Sequence, residues 1–228
     1  MSSFEYTAQF LTSIERTISR ERLKRYLVAT QQRMVNALEL YEYNVALSEA
    51  LYGYLHGLEV AVRNAMHHSL TLGYRTPQWY DEAPLTSYHQ EKFIQKAKKE
   101  AGWNASAGKI IAELTLGFWT DLTAQAYHNT LWVPYLAQAF PHAKRHRKLI
   151  HQRLQLIRWL RNRIAHHEPI LTSRNLIYTG HQSHISLPEL VECAEWICPD
   201  TSEWLRIKSR YTQAEVILAR VNTLGVTL

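Results

Sequence analysis

One short stretch carries most of the chemistry in this chain: Trp159-Leu160-Arg161-Asn162-Arg163-Ile164-Ala165-His166-His167-Glu168-Pro169. A guanidinium binds phosphate at any relevant pH, because it stays charged and forks toward two oxygens. An imidazole gains or loses a proton near neutrality. Arg161, Asn162, His166 and His167 therefore supply a phosphate anchor, an orienting amide and one or two acid–base groups. These are the parts of a phosphodiester-cleaving site that needs no metal.

Spacing limits what can meet. On a continuous helix, positions four apart lie about 40° apart around the axis and positions five apart about 140°. Asn162 and His166 then share a face, as do Arg163 and His167, whereas Arg161 and His166 do not converge. Either the helix unwinds before His166 or a second copy of the chain completes the site. Pro169 biases Glu168 away from helical geometry, which puts a helix boundary here. On the residues alone a second account stays open. Arg and His also gather at helix C-termini because cations suit the negative end of the dipole.

An earlier stretch repeats the theme. In Leu58-Glu59-Val60-Ala61-Val62-Arg63-Asn64-Ala65-Met66-His67-His68, Arg63 and His68 stand at the same interval as Arg161 and His166. Arg63 and Asn64 are candidate substrate-binding residues, with Arg158 and Arg163 from the later helix. The alternative is structural, with Asn64 bonding backbone and His68 a satisfied buried imidazole. No metal site is expected. His166 and His167 are adjacent and project in different directions, and Cys193 and Cys198 alone make a poor ligand set. No cofactor motif is present: there is no Gly-rich phosphate loop and no His-Glu-x-x-His.

The elements that must position these residues read as helices. Residues 4–18 have Phe4, Phe10, Leu11 and Ile14 as an apolar side. Ser19 to about Tyr41 forms a second helix with Arg20, Arg22, Lys24, Arg25 and Arg33 outward. Asn44 is expected to cap a third, running to Leu72 and closed by Gly73. Gly53 and Gly57 on it mark close approach of another helix. Residues 73–86 read as a loop, in which Trp79 and Tyr80 pack on the domain or stack on a base. Helices follow over about 87–101, 107–127 and 131–140. The motif helix is expected from Ala143 to His166, with Leu149, Ile150, Leu154, Ile157, Leu160 and Ile164 buried. Lys144, Arg145, Arg147, Lys148, Arg153, Arg158, Arg161 and Arg163 crowd its remaining faces, a density that could track a phosphate backbone. Beyond Pro169, an extended piece around Leu176–Tyr178 precedes a turn at Gly180. Ser186-Leu187-Pro188-Glu189 is a capping box, opening a helix to Cys198. Two more helices follow, Thr201 to Arg210 and Thr212 to Leu224.

Arg161-Asn162-x-x-x-His166 matches the Arg-x4–6-His motif of HEPN ribonucleases, often seen as Arg-polar-x3-His. The run from Leu160 to Pro169 resembles the corresponding segment of Abi-like proteins, the bacterial abortive-infection group of that superfamily. Leu58 to His68 resembles their N-terminal helix, and Gly117-Phe118-Trp119 and Leu131-Trp132 fall where that group carries aromatic landmarks. The resemblance covers about residues 20–175. It implies an all-α, HEPN-like helical bundle, assigned to 1–175; the additional C-terminal helices read from the residues over 176–228 are expected to pack on the same domain. It implies a metal-independent endoribonuclease, a toxin or antiphage abortive-infection effector, acting on RNA such as tRNA or mRNA. It also implies a homodimer and, as a candidate further partner, an antitoxin. It gives the catalytic role to the later motif and leaves an Arg-Asn pair at Arg63-Asn64. A non-catalytic HEPN module binding RNA, nucleotide or a protein partner is the alternative, and a structural helical protein a third.

Composition agrees with a helical, globular chain. Among 228 residues, 46% are hydrophobic, with only 8 Gly and 7 Pro to interrupt helices. Lys plus Arg number 26 against 20 Asp plus Glu, and the isoelectric point is near 9.3, which favours an anionic partner. Twelve histidines are many for this length. Without an apolar N-terminal region or an apolar run of about 18 residues, neither a signal peptide nor a membrane span is expected. The two cysteines are then reduced core residues of a cytoplasmic protein.

Overall fold

A computed structural model describes residues 5–102, 104–144, 146–172 and 176–224. Phe4 of the first predicted helix, Arg145 of the motif helix and residues 173–175 after Pro169 lie outside the described residues. Among the described residues the architecture is all-α apart from one small hairpin. Helix α1 (Ala8–Ile18) is capped by Thr7, whose hydroxyl accepts from Phe10 N at 3.2 Å. Ser19 turns the chain at φ 74° and caps α2 (Arg20–Ala29). The single helix expected over 19–41 is broken, because Gln31 and Gln32 adopt left-handed φ of 54° and 65°. Both are polar and exposed, and no periodicity marks such a reversal.

The central strut is α3 (Met34–Tyr74), 41 residues long and roughly 60 Å at 1.5 Å per residue. It contains no proline, so nothing interrupts its hydrogen-bond ladder. Asn44 does not cap it. The residue is buried inside the helix, and its side chain accepts from the backbone of Ile170, far along the chain. Leu40, Leu47, Leu51, Leu58, Val62, Met66 and Leu70 are buried along it. The helix also runs through Gly73 and ends at Arg75, left-handed at φ 58°.

A 3-10 turn (Trp79–Asp81) follows, then α4 (Ser87–His89), a π-helical stretch Gln90–Gln95, and α5 (Lys96–Ala101). Trp79 and Tyr80 are fully buried, and Trp79 packs against Phe118 and Trp119. The predicted helix 107–127 divides into α6 (Ala107–Glu113) and α7 (Leu116–Leu122), because Leu114 and Thr115 are extended. Short 3-10 and π turns occupy Gln125–Tyr127, His128–Trp132 and Leu136–Ala139 in place of the helix expected at 131–140. Pro134, with no N–H to give, falls between the last two. Helix α8 (Arg147–Ala165) carries the motif.

Strands β1 (Leu176–Gly180) and β2 (Ser183–Ser186) pair antiparallel. Their two-residue turn, His181-Gln182, has both residues left-handed, the geometry that matches strand twist. The capping box at Ser186 and Glu189 opens α9 (Leu187–Glu195), followed by α10 (Pro199–Lys208) and α11 (Tyr211–Thr223). Helices α10 and α11 pack on α3. At Gly57 an added Cβ would lie 2.1 Å from Leu205 Cδ2. That is the close approach which the glycine pair predicted. One apolar cluster joins Leu23 of α2, Leu58 of α3, Trp119 of α7, Leu160 of α8, Ile185 of β2 and Leu218 of α11.

Candidate functional site

Helix α8 buries Ile150, Leu154, Ile157, Leu160 and Ile164. Leu149, expected in this stripe, is exposed instead. The remaining faces are basic. The helix does not unwind before His166, since His166 N still bonds Asn162 O at 2.9 Å. The next residue ends it. His167 is left-handed at φ 56°. His167 N bonds Ile164 O at 3.1 Å and Glu168 N bonds Arg163 O at 2.8 Å. This is a Schellman closure, with a histidine at the position glycine usually fills.

Two long-range contacts hold the chain beyond this closure. Arg22 of α2 donates to His167 O at 2.7 Å. Asn44 Oδ1 accepts from Ile170 N at 2.8 Å and Leu171 N at 3.1 Å, deep in the core. The exit from the motif helix is therefore tied to α2 and α3 by side chains from more than a hundred residues away.

Because the helix is intact, Asn162 and His166 lie on one exposed face. Arg161 turns instead toward α3, and its Nε donates to Glu59 Oε2 at 3.3 Å. Among the described residues, Glu59 is its one hydrogen-bonding partner, and nearly half of the arginine side chain, 48%, remains exposed. No hydrogen bond or ion pair links Arg161 with His166 among the described residues. Beside Arg161 is a small cleft of about 110 Å³, lined by Tyr52, Leu55, His56 and Glu59 of α3 and by Arg161, Ile164 and Ala165 of α8.

The other arginines are held differently. Arg158 donates to Asp121 Oδ1 at 3.1 Å and lies flat on Gly117, where an added Cβ would come within 3.1 Å of its Cζ. Asp121 also faces the buried His89, Oδ2 to Nε2 at 3.5 Å. The His89 Nδ1 meets the hydroxyls of Thr86 and Tyr127 at 2.8 and 2.9 Å. Arg163 is engaged on every nitrogen. Its Nε and Nη2 donate to Pro169 O at 3.0 and 2.8 Å, and its Nη1 pairs with Glu168 at 2.8 Å. Its guanidinium covers the Tyr178 ring from 4.7 Å, while Arg25 lies 4.8 Å from the same ring. Burial, and then the neighbouring Arg163, push the Arg25 pKa down.

On α3, Arg63 Nε donates to Asn64 Oδ1 at 3.3 Å. Glu59 lies four positions earlier, so the earlier stretch and the later motif meet through that carboxylate. Of the first histidine pair, His67 is the half-buried, satisfied imidazole and His68 the exposed one, the reverse of the sequence expectation. Trp79 Nε1 donates to His67 Nδ1 at 3.0 Å. Burial, then His68 and Arg63, lower the pKa of His67, which keeps Nδ1 free to accept.

Sequence reasoning named the arginines but not the carboxylates that hold them: Glu59, Asp121 and Glu168. A carboxylate opposite each motif arginine leaves no local spacing signal, because each comes from another part of the chain or from beyond the helix end. His56 was missed for the same reason. It becomes a neighbour of Arg161 only when α3 and α8 pack.

A larger groove of about 770 Å³ lies between α2 and Pro169, lined by Arg22, Lys24, Arg25, Val28 and Ala29 among others. Among the described residues no group of three or more His, Cys, Asp or Glu could hold a metal ion. No helix among them is long and apolar enough to cross a membrane. Comparison with family models, curated proteins and solved structures finds no match to this chain.

Proposed function

We propose that this protein is a metal-independent endoribonuclease of the HEPN type, its helices forming a HEPN-like bundle with added C-terminal helices. Its biological setting would be that of a cytoplasmic toxin or antiphage abortive-infection effector, acting on RNA such as tRNA or mRNA. The observation that carries the reading is the intact end of α8. It presents Asn162 and His166 on one exposed face, with the charged and half-exposed Arg161 at its edge.

Arg161 binds the scissile phosphate and offsets the charge that builds on its oxygens in the transition state. The RNA 2′-oxygen bonds to phosphorus as its proton passes to a neutral imidazole. The bond from phosphorus to the 5′-oxygen breaks as a protonated imidazole donates to that oxygen. The products carry 2′,3′-cyclic phosphate and 5′-hydroxyl ends. His166 serves one of these transfers, Asn162 orients the RNA, and His167 is its neighbour on the closing turn. Arg158, Arg63 and Asn64 extend the phosphate-binding surface along α8 and α3. Arg163, already engaged by Pro169, Glu168 and Tyr178, supports the site by holding the turn. Arg161 and His166 diverge within one chain, which favours a homodimer that brings two motifs together.

The test is cleavage of purified tRNA and single-stranded RNA in EDTA by the native protein, His166→Ala and Arg161→Ala. The expected result is cutting with cyclic phosphate ends, lost in both variants. One observation favours a second reading, a non-catalytic module that binds RNA, nucleotide or a protein partner. Glu59 already occupies Arg161 in the free chain. In that case RNA binding depends on Arg161, no RNA is cut, and His166→Ala changes nothing.

A further inference from the structure

The cleft beside Arg161 holds a second imidazole. Tyr52, His56 and Glu59 succeed one another at intervals of four and three along α3, so they share a face. With Arg161 they line a space of about 110 Å³. Pockets that enclose a whole small-molecule ligand run to about 300 Å³ and more, so this one suits a phosphoryl group with the rest of the ligand outside. Its walls offer a guanidinium for the phosphate and an imidazole for a proton. Tyr52, 64% exposed, adds an aromatic face on which a base can stack. The charged groups facing His56 in the cleft are Glu59 from its own helix and Arg161 from α8. His166, five positions beyond Arg161, leaves α8 about 140° away around the axis.

Cleavage by 2′-hydroxyl attack needs two proton transfers. One accompanies formation of the bond between the 2′-oxygen and phosphorus. The other accompanies rupture of the bond between phosphorus and the 5′-oxygen, and the two leave the proton count unchanged. We infer that His56 is a catalytic residue carrying one of these transfers at a phosphate held by Arg161 of its own chain. The other falls to His166, brought by a second copy. This inference rests on the ribonuclease reading above, and it adds a group that the motif does not contain.

His56 is exposed, so His56→Gln leaves the fold intact. The experiment measures kcat, KM and the pH–rate profile on single-stranded RNA in EDTA for native protein, His56→Gln and His166→Ala. It also measures binding of a 2′-O-methyl RNA oligonucleotide that cannot be cut. The expected result for His56→Gln is a kcat lower by about 100-fold or more, with one limb of the profile lost. KM should stay within about 2-fold and binding of the uncut oligonucleotide should not change. Native kcat and profile in His56→Gln, with His166→Ala inactive, would overturn this role and leave the ribonuclease reading standing. A change in KM alone would make His56 a binding residue and also overturn it. Native protein that binds the oligonucleotide but cuts no RNA would remove both readings.

Discussion

The Arg161 guanidinium and the Glu59 carboxylate join the motif helix to the long central helix at 3.3 Å, with both side chains partly open to solvent. An exposed pair of this kind adds little to stability, about 1 kcal/mol at most. Its effect on ligand binding is different. On the proposed ribonuclease reading, an incoming phosphate would compete with Glu59 for the same charge, and the pair would tune affinity more than it holds the fold.

Glu59→Gln removes that competitor while keeping a hydrogen-bond acceptor. Binding of uncut 2′-O-methyl RNA should tighten by up to about fivefold, the equivalent of about 1 kcal/mol. The melting temperature should hardly move. Weaker binding in the variant would show that Glu59 positions Arg161 and does not compete for it.

His167 separates structure from chemistry. Its left-handed φ of 56° is strained for a residue with a Cβ. His167→Gly should raise stability by up to about 1 kcal/mol in denaturant titration, after the entropy cost of glycine is set against the relief. If His166 is the acid–base group of the motif, cleavage survives in this variant. A variant that is more stable yet inactive would transfer the role to His167.

Asn44 is the anchor of the segment leaving the motif. Asn44→Leu keeps the number and branching of side-chain heavy atoms but leaves the Ile170 and Leu171 N–H groups buried without their acceptor. Each such loss costs about 1–3 kcal/mol, so a destabilisation of about 2 kcal/mol or more is expected in urea unfolding. Hydrogen exchange at Ile170 and Leu171 should accelerate. An unchanged unfolding midpoint would mean that another acceptor takes over.

His67 should make stability depend on pH. Its pKa in the folded chain is held below the usual histidine value by burial and by His68 and Arg63. The unfolded chain therefore takes up the proton first. The stabilisation is complete above the unfolded value of about 6.5 and is lost as pH falls through the folded one. Melting curves from pH 8 to 5 should drop more steeply for native protein than for His67→Gln, which can accept from Trp79 without titrating. Parallel curves would show that His67 does not contribute.

Helix class, the long apolar stripes, the capping box at Ser186 and the extended piece near Leu176 were legible because each is a local pattern; the strand that pairs with it was not. The breaks were not. Gln31-Gln32 and Leu114-Thr115 depart from helical geometry without proline or glycine, so tertiary packing decides them. The arginines and histidines of α8 could be named from their types, and the sharing of a face by Asn162 and His166 from their spacing. Their partners could not. Glu59 is 102 positions from Arg161, and no periodicity within either helix reports a contact made between them.

The central helix also sets an order on synthesis. Tyr54, in the middle of α3, is fully buried, and its hydroxyl donates to Leu190 O, 136 positions further on. Its ring also packs against Tyr211 of α11 at 5.5 Å. As the chain leaves the ribosome, this face of α3 emerges long before the segments that cover it. A nascent chain stalled after the motif would carry Arg161 and His166 but expose an apolar helix face, a substrate for chaperones. Until the C-terminal helices are made, Tyr54 lacks both the Leu190 carbonyl and the Tyr211 ring that cover it.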